Sequence, residues 1–177
     1  MIEIILPEGI ASIGAHAFSS SGLKNISMGD NITTIGAYAF AFCSALETIH
    51  LSESLVIIED NAFSYCDGLV CLTLPDNVLK IGMYSFWDCY NLSSIKLSTT
   101  LSEIGAQAFG SCSSLSDVIL PASLQTIGDS AFKTGSKMNS ITYQGTREQW
   151  LLFQGHYNHF FDPSVKNVRC SDGNYRL

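Results

Sequence analysis

Positive charge is scarce in this sequence: nine Lys and Arg stand against sixteen Asp and Glu, a formal net charge of −7. Without a Lys/Arg stripe to neutralise phosphates, such a chain is repelled by nucleic acid and by anionic membrane surfaces. The surplus carboxylates read as a solvated surface that aids solubility. Long apolar runs are missing as well. Although 46% of the residues are apolar, no stretch approaches the roughly 18 that a membrane-spanning helix needs, so membrane insertion is not expected. A signal peptide is not expected in its opening residues, because Glu3 and Pro7 interrupt the first ten.

What is present is one phrase, repeated. Ile81-Gly82-Met83-Tyr84-Ser85-Phe86-Trp87-Asp88-Cys89-Tyr90-Asn91-Leu92-Ser93-Ser94-Ile95-Lys96-Leu97 has the skeleton I-G-x-x-[AS]-F-x-x-C-x-x-L-x-x-I-x-L. Its phenylalanine returns as Phe18, Phe40, Phe63, Phe86, Phe109 and Phe132, a first step of 22 residues and then four of 23. Ile13, Ile35, Ile58, Ile81, Ile104 and Ile127 keep the same beat, as do Leu23, Leu46, Leu69, Leu92, Leu115 and Met138. A fixed period in this range marks a solenoid, in which each repeat is one supersecondary unit stacked on the next. Pairs such as Ile26/Met28, Ile49/Leu51, Leu72/Leu74 and Ile95/Leu97 alternate as a strand buried on one side does. Pro7, Pro75 and Pro121 end strands, since proline cannot donate to a ladder. Ile10, Ile32, Leu55, Val78, Leu101 and Leu124 then point inward from the opposite side of the coil.

The L-x-x-[ILV]-x-L core is that of a leucine-rich repeat, and the A-F-x-x-C-x-x-L-x-x-[IL]-x-L-P dialect resembles the treponemal or BspA-like leucine-rich repeat family over residues 4 to 143. The fold class expected is α/β: a right-handed leucine-rich-repeat solenoid with a parallel β-sheet on its concave face, short helical turns and loops elsewhere, and a C-terminal cap. Residues 1–143 form the array and residues 144–177 the capping segment. In the cap, Thr146 and Gln149 form a capping box, and Trp150, Leu151 and Phe153 give the helix an apolar side. Phe160, Phe161, Val165, Val168 and Cys170 cover the last coil, and Asp172-Gly173 turns a hairpin. The stretch Tyr143-x-Gly145-Thr146-x-x-Gln149-Trp150 resembles the closing module found after such arrays in gut bacterial proteins. No polar cap precedes Ile4, Leu6, Ile13 and Phe18, where a terminal repeat needs one; the chain is therefore expected to be a piece of a longer protein.

Two structural details are expected within each coil. Gly14, Gly36, Gly82, Gly105 and Gly128 share a slot that holds Glu59 in the third repeat, so the slot does not demand positive φ. Phe and Cys lie three apart and should share one face of a short helical turn.

The cysteines look chemical and read as structural. Cys43, Cys66, Cys89 and Cys112 share one repeat position, with Ser21 and Gly135 closing the row. Four thiolates around zinc must converge at about 2.3 Å from one ion, whereas a ladder holds its members in a line. Disulfides favour Cβ atoms about 3.8 Å apart, closer than the roughly 4.8 Å between strands. These thiols are expected to be free and buried, suiting a reducing or anaerobic setting. No metal or cofactor is expected; His156, His159 and Asp162 imitate ligand spacing within an aromatic-rich cap.

Two surfaces are candidates for binding. The outward positions of the strands carry Asn25, Ser27, Thr48, His50, Cys71, Thr73, Ser94, Lys96, Asp117 and Ile119, with Ser140 and Thr142 beyond. They are small, mostly polar and nearly uncharged, suited to a protein or peptide, although β-propensity alone also selects Ser and Thr there. His50 and Cys71 are diagonal neighbours without an orienting third group, so catalysis is not expected. Lys96 and Asp117 stand in the same relation and should form an exposed ion pair. The second surface is aromatic. Tyr38, Phe42, Tyr65, Tyr84, Trp87 and Tyr90 flank the turns of repeats two to four, whereas Gln107, Gly110, Ser111, Ser130, Lys133 and Thr134 fill the matching slots in repeats five and six. Aromatic enrichment is a mark of interfaces; packing between neighbouring turns is the alternative.

The resemblance implies a bacterial cell-surface or secreted protein used in adhesion or protein binding, hence a non-catalytic interaction module. A spacer or stalk that positions another domain is the rival reading.

Overall fold

A computed structural model describes residues 3–133, 138, 140–153 and 160–176, and shows a coil of short strands. In chain order they are β1 (Glu3–Ile5), β2 (Ser12–Ile13), β3 (Asn25–Ser27), β4 (Thr34–Ile35), β5 (Thr48–His50), β6 (Ile57–Ile58), β7 (Cys71–Thr73) and β8 (Lys80–Ile81). Then follow β9 (Ser94–Lys96), β10 (Glu103–Ile104), β11 (Ile119–Leu120), β12 (Thr126–Ile127), β13 (Ser140–Tyr143), α1 (Arg147–Phe153), β14 (Asn167–Cys170) and β15 (Gly173–Arg176). Each turn of the solenoid contributes one strand to each of two sides.

The first side is the L-x-x-I-x-L side. It runs as three parallel segments, β1-β3-β5, β7-β9 and β11-β13-β14, with β15 closing antiparallel on β14. The sequence leads one to expect an unbroken ladder here. Instead β5 and β7 are not paired, and β9 meets the next turn only through an isolated Ser94–Asp117 bridge. The opposite side is a continuous six-stranded parallel sheet, β2-β4-β6-β8-β10-β12, whose register aligns Ile13, Ile35, Ile58, Ile81, Ile104 and Ile127. The shorter first repeat loses its residue in a loop. Asn25 therefore pairs with Glu3 and Thr48 with Asn25 in unbroken register.

The expected helical turn between Phe and Cys is a different device. Non-glycine residues take positive φ two positions before and two after the repeat phenylalanine, as at Tyr38 (57°) and Phe42 (62°) around Phe40, and at Tyr84 (54°) and Asp88 (57°) around Phe86. Alternate amides then point along the solenoid axis and bind the next turn: Tyr38 N to Asp60 O at 3.0 Å, Phe40 N to Ala62 O at 2.8 Å, Phe42 N to Ser64 O at 2.8 Å. The amides between them close tight turns within the same coil, such as Ala41 N to Tyr38 O at 3.1 Å. This corner is thus a third hydrogen-bonded ladder, which satisfies backbone groups that a buried loop would otherwise orphan.

Inside the corner the phenyl rings stack from Phe18 through Phe132, with centroids 5.0–5.3 Å apart. Phe161 extends the stack at 5.5 Å from Phe132. Burying each ring contributes about 1.5–3 kcal/mol, so this column and the isoleucine row outweigh the exposed ion pairs. Cys43, Cys66, Cys89 and Cys112 are fully buried and unbridged. Each thiol donates to the carbonyl of a phenylalanine in the preceding turn, for instance Cys89 Sγ to Phe63 O at 3.1 Å.

The glycine slot has no positive φ, as Glu59 led us to expect. Its constraint is crowding. A Cβ at Gly82 would lie 2.6 Å from Asp60 N, and one at Gly105 2.5 Å from Met83 N. Glu59 fits because its carboxylate reaches the turn before it and accepts from Ala37 N at 2.8 Å.

At the C-terminal end, Thr146 and Gln149 form the capping box reciprocally, Gln149 N donating to Thr146 Oγ1 at 3.2 Å and Thr146 N to Gln149 Oε1 at 2.8 Å. Trp150 is buried beside Tyr143, but Leu151 faces solvent with Leu152, contrary to expectation. Phe160, Val165 and Val168 are buried. The hairpin turns at Ser171-Asp172, one residue earlier than anticipated, with Gly173 at φ 135° opening β15. His156, His159, Thr134 and Gly135 lie outside the described residues.

Candidate binding surfaces

The outward row of the first side is exposed where the alternation of the strands puts it: Thr48, His50, Cys71, Thr73, Ser94, Lys96, Asp117 and Ile119 face solvent, while Asn25 and Ser27 are half-buried. Ser27 sits beside His50, Cys71 beside Ser94, and Thr73 beside Lys96. The predicted Lys96–Asp117 ion pair is not formed. Asp117 accepts from the neighbouring Ser116 hydroxyl at 2.9 Å, and among the described residues ion pairs join neighbouring turns elsewhere, Lys24–Glu47 at 3.0 Å and Lys80–Glu103 at 2.9 Å.

Where β5 and β7 fail to pair, a cleft of about 390 Å³ opens. It gathers four of the predicted residues, Thr48, His50, Cys71 and Thr73, over the half-buried Ile49 and Leu51. Pro75, expected only as a strand end, also lines it, with Glu47 and Glu53, which were not marked by their place in the repeat. Cys71 and His50 therefore do meet at one depression. No group there is shown oriented for nucleophilic chemistry.

The aromatic residues divide into local pairs, two across neighbouring turns and one within a single turn. His16 stacks on Tyr38 at 4.9 Å and Phe42 on Tyr65 at 4.8 Å, while Tyr84 meets Trp87 edge-on at 5.4 Å. Four of the six predicted residues, Tyr38, Phe42, Tyr65 and Tyr84, occupy the left-handed positions of the corner. Their rings therefore project outward from the backbone that stacks beneath them. Downstream of Trp87 the left-handed positions hold Gln107, Ser111 and Ser130, and a cleft of about 550 Å³ opens between them and the rings of Trp87 and Tyr90.

The buried cysteines are chemically quiet. Burial pushes the Cys66 and Cys89 thiols well above the ordinary thiol value and Cys112 up to about 12, so they are protonated near neutrality. Among the described residues, no group of three or more His, Cys, Asp or Glu is placed to hold a metal ion, and no helix is long and apolar enough to cross a membrane.

The family model described as "BspA type Leucine rich repeat region" matches this chain in six copies, over residues 1–92 and 34–150. The chain belongs to the BspA-type leucine-rich repeat family. A leucine-rich repeat protein of T. pallidum shares its architecture at 26% identity and a TM-score of 0.73, covering 80% of this chain and 72% of that one. A Bacteroides ovatus leucine-rich repeat protein is 29% identical with a TM-score of 0.76, over 97% of this chain and 44% of that one. A leucine-rich cell surface protein of Faecalibacterium prausnitzii is 30% identical with a TM-score of 0.74, over 81% and 39%. The chain thus spans less than half the length of the latter two. No curated protein matches it in sequence. BspA-type proteins are typically cell-surface or secreted. The side chains that align within the repeat, its phenylalanines, isoleucines and cysteines, are the inward-facing ones, so family membership assigns the scaffold and no role to the outward residues.

Proposed function

We propose that this chain is a non-catalytic protein-interaction module of a cell-surface or secreted protein, used in adhesion or partner binding. Residues 1–143 serve as the recognition array and residues 144–177 as its cap. The observation that carries the reading is the outward row of the first side. It is a run of exposed, short, nearly uncharged side chains, and it dips into the cleft where β5 and β7 separate. Its occupant would be a protein segment, which can set apolar side chains over Ile49 and Leu51 and meet Thr48, His50 and Thr73 with hydrogen bonds. Support for the surface location comes from the family and from the F. prausnitzii relative, described as a cell surface protein.

The test is a surface plasmon resonance screen against purified host surface proteins, repeated with Thr73→Trp, His50→Glu and Lys96→Glu. At least one partner should bind, and Thr73→Trp should weaken it at least tenfold, about 1.4 kcal/mol. Absence of any partner, or binding indifferent to all three substitutions, would instead favour a spacer role.

A further inference from the structure

We propose that the cleft at Trp87 is a second binding site, for a neutral oligosaccharide. Three independent features meet there. The first is a ring held in place. Trp87 occupies a position that is Ala41, Ser64 or Gly110 in neighbouring repeats. Its six-membered ring lies over Gly110 one turn later: a Cβ on Gly110 would stand 2.3 and 2.4 Å from Trp87 Cζ3 and Cε3. Tyr84 contacts the same indole edge-on, 5.4 Å between centroids. The Trp87 side chain is thus positioned by a glycine and a second ring, which lowers the ordering cost of binding.

The second feature is the polar rim. Asp88, Gln107, Ser111 and Ser130 all stand at left-handed corner positions, with φ between 52° and 60°, and all four line the cleft with Trp87 and Tyr90. Upstream, several of the same positions carry rings, with His16 stacked on Tyr38 and Phe42 on Tyr65. Here short polar side chains leave space, so the aromatic row ends at an open depression of about 550 Å³, within the usual range for a small-ligand site. A flat apolar ring beside amide, carboxylate and hydroxyl groups complements a pyranose, whose C–H face is apolar and whose edge is lined with vicinal hydroxyls.

The third feature is charge. Among the described residues that line the cleft, the charged ones are Asp88, Asp162 and Lys133. Outside the lining, burial and then repulsion from Asp88 raise the Asp67 carboxyl above its ordinary range. The Asp88 carboxylate disfavours phosphate or sulfate groups, and a neutral sugar meets the cleft without that penalty.

The experiment is saturation-transfer-difference NMR with tryptophan fluorescence titration, using maltotriose, cellotriose, xylotriose and triacetylchitotriose as probes. At least one should bind saturably in the millimolar range or tighter. Trp87→Ala and the exposed Tyr90→Ala should each weaken it at least tenfold. Gly110→Ala, which displaces the indole without removing it, should do likewise. Tyr65→Ala, outside the cleft, should leave affinity unchanged. The proposal is overturned if no probe binds, if binding survives both Trp87→Ala and Tyr90→Ala, or if Tyr65→Ala weakens it equally. Loss of a protein partner in Trp87→Ala, with no sugar bound by the parent chain, would overturn it in favour of a protein site.

Discussion

At the scale of single residues, the four buried thiols show how a chemically suggestive pattern becomes inert. Each sits in the interior and donates a hydrogen bond to a phenylalanine carbonyl one turn back. Cys71, exposed on β7, should therefore react with a thiol reagent in the native protein far faster than the buried four, which mass spectrometry of partially labelled protein will show. In Cys66, Cys89 and Cys112 burial also makes stability depend on pH. A thiol whose folded value is raised contributes nothing to pH dependence below its unfolded value, about 8.5. Above that, the unfolded chain ionises while the folded one does not, so stability falls as pH rises towards the folded value, about 12 for Cys112. Each such thiol should cost about 1.4 kcal/mol per pH unit in that window. Urea midpoints at pH 8 and pH 10 will measure it, and Cys112→Ala should make the fall shallower. An unchanged slope in that variant would remove the thiol from the account.

At the same scale, Gln107 holds a left-handed φ of 52°, a region that costs most L-residues about 1–2 kcal/mol and that Asn tolerates best. Gln107→Asn should stabilise the protein by about 0.5 kcal/mol, read as a higher midpoint in urea. A loss of stability beyond about 1 kcal/mol would mean that strain is not what this position stores.

At the scale of elements, the glycine slot separates crowding from conformation. A Cβ at Gly105 would press on the Met83 amide and the Gly82 carbonyl carbon of the preceding turn, at 2.5 and 2.6 Å, whereas one at Gly14 meets nothing within 4 Å. Backbone cannot yield as a side chain can. Gly105→Ala should therefore cost about 2–3 kcal/mol and Gly14→Ala less than about 0.5; equal effects in denaturant titrations would refute the contrast. This pairing of turns was only half legible in the sequence. The period of 22–23 residues located the strands at Ile26, Ile49, Leu72 and Ile95, because a buried row must repeat with its coil. The spacing of Phe40 and Cys43 suggested a helical turn, and the structure holds alternating left-handed residues instead. Three-residue spacing is common to both conformations, and the bulky Tyr38 and Phe42 are side chains that sequence reasoning places at negative φ. Exposure along the outward row followed from alternation alone. The cleft between β5 and β7 did not, because a lapse in a ladder depends on how two turns are set and leaves no mark in the repeat.

At the scale of the whole molecule, the chain is a stack in which each turn rests on two others, so a residue's contribution depends on its place along the axis. Phe86 is fully buried between Phe63 and Phe109, whereas Phe18 is only partly covered and stacks on Phe40 alone. Truncating Phe86 removes ring contacts on both sides and weakens two inter-turn interfaces; truncating Phe18 weakens one. Phe86→Ala should accordingly cost about 3–5 kcal/mol and Phe18→Ala about half as much. Hydrogen exchange gives a sharper discriminant than total stability. In Phe86→Ala, protection should fall at the amides that bridge turns across the break, such as Phe63 N to Ser85 O and Phe86 N to Ala108 O. Amides near Phe132 should keep most of theirs, because the turns towards the C-terminal end still rest on one another. Were protection to fall uniformly along the chain, the coil would be behaving as one cooperative globule, and the additive account of its stacked turns would have to be abandoned.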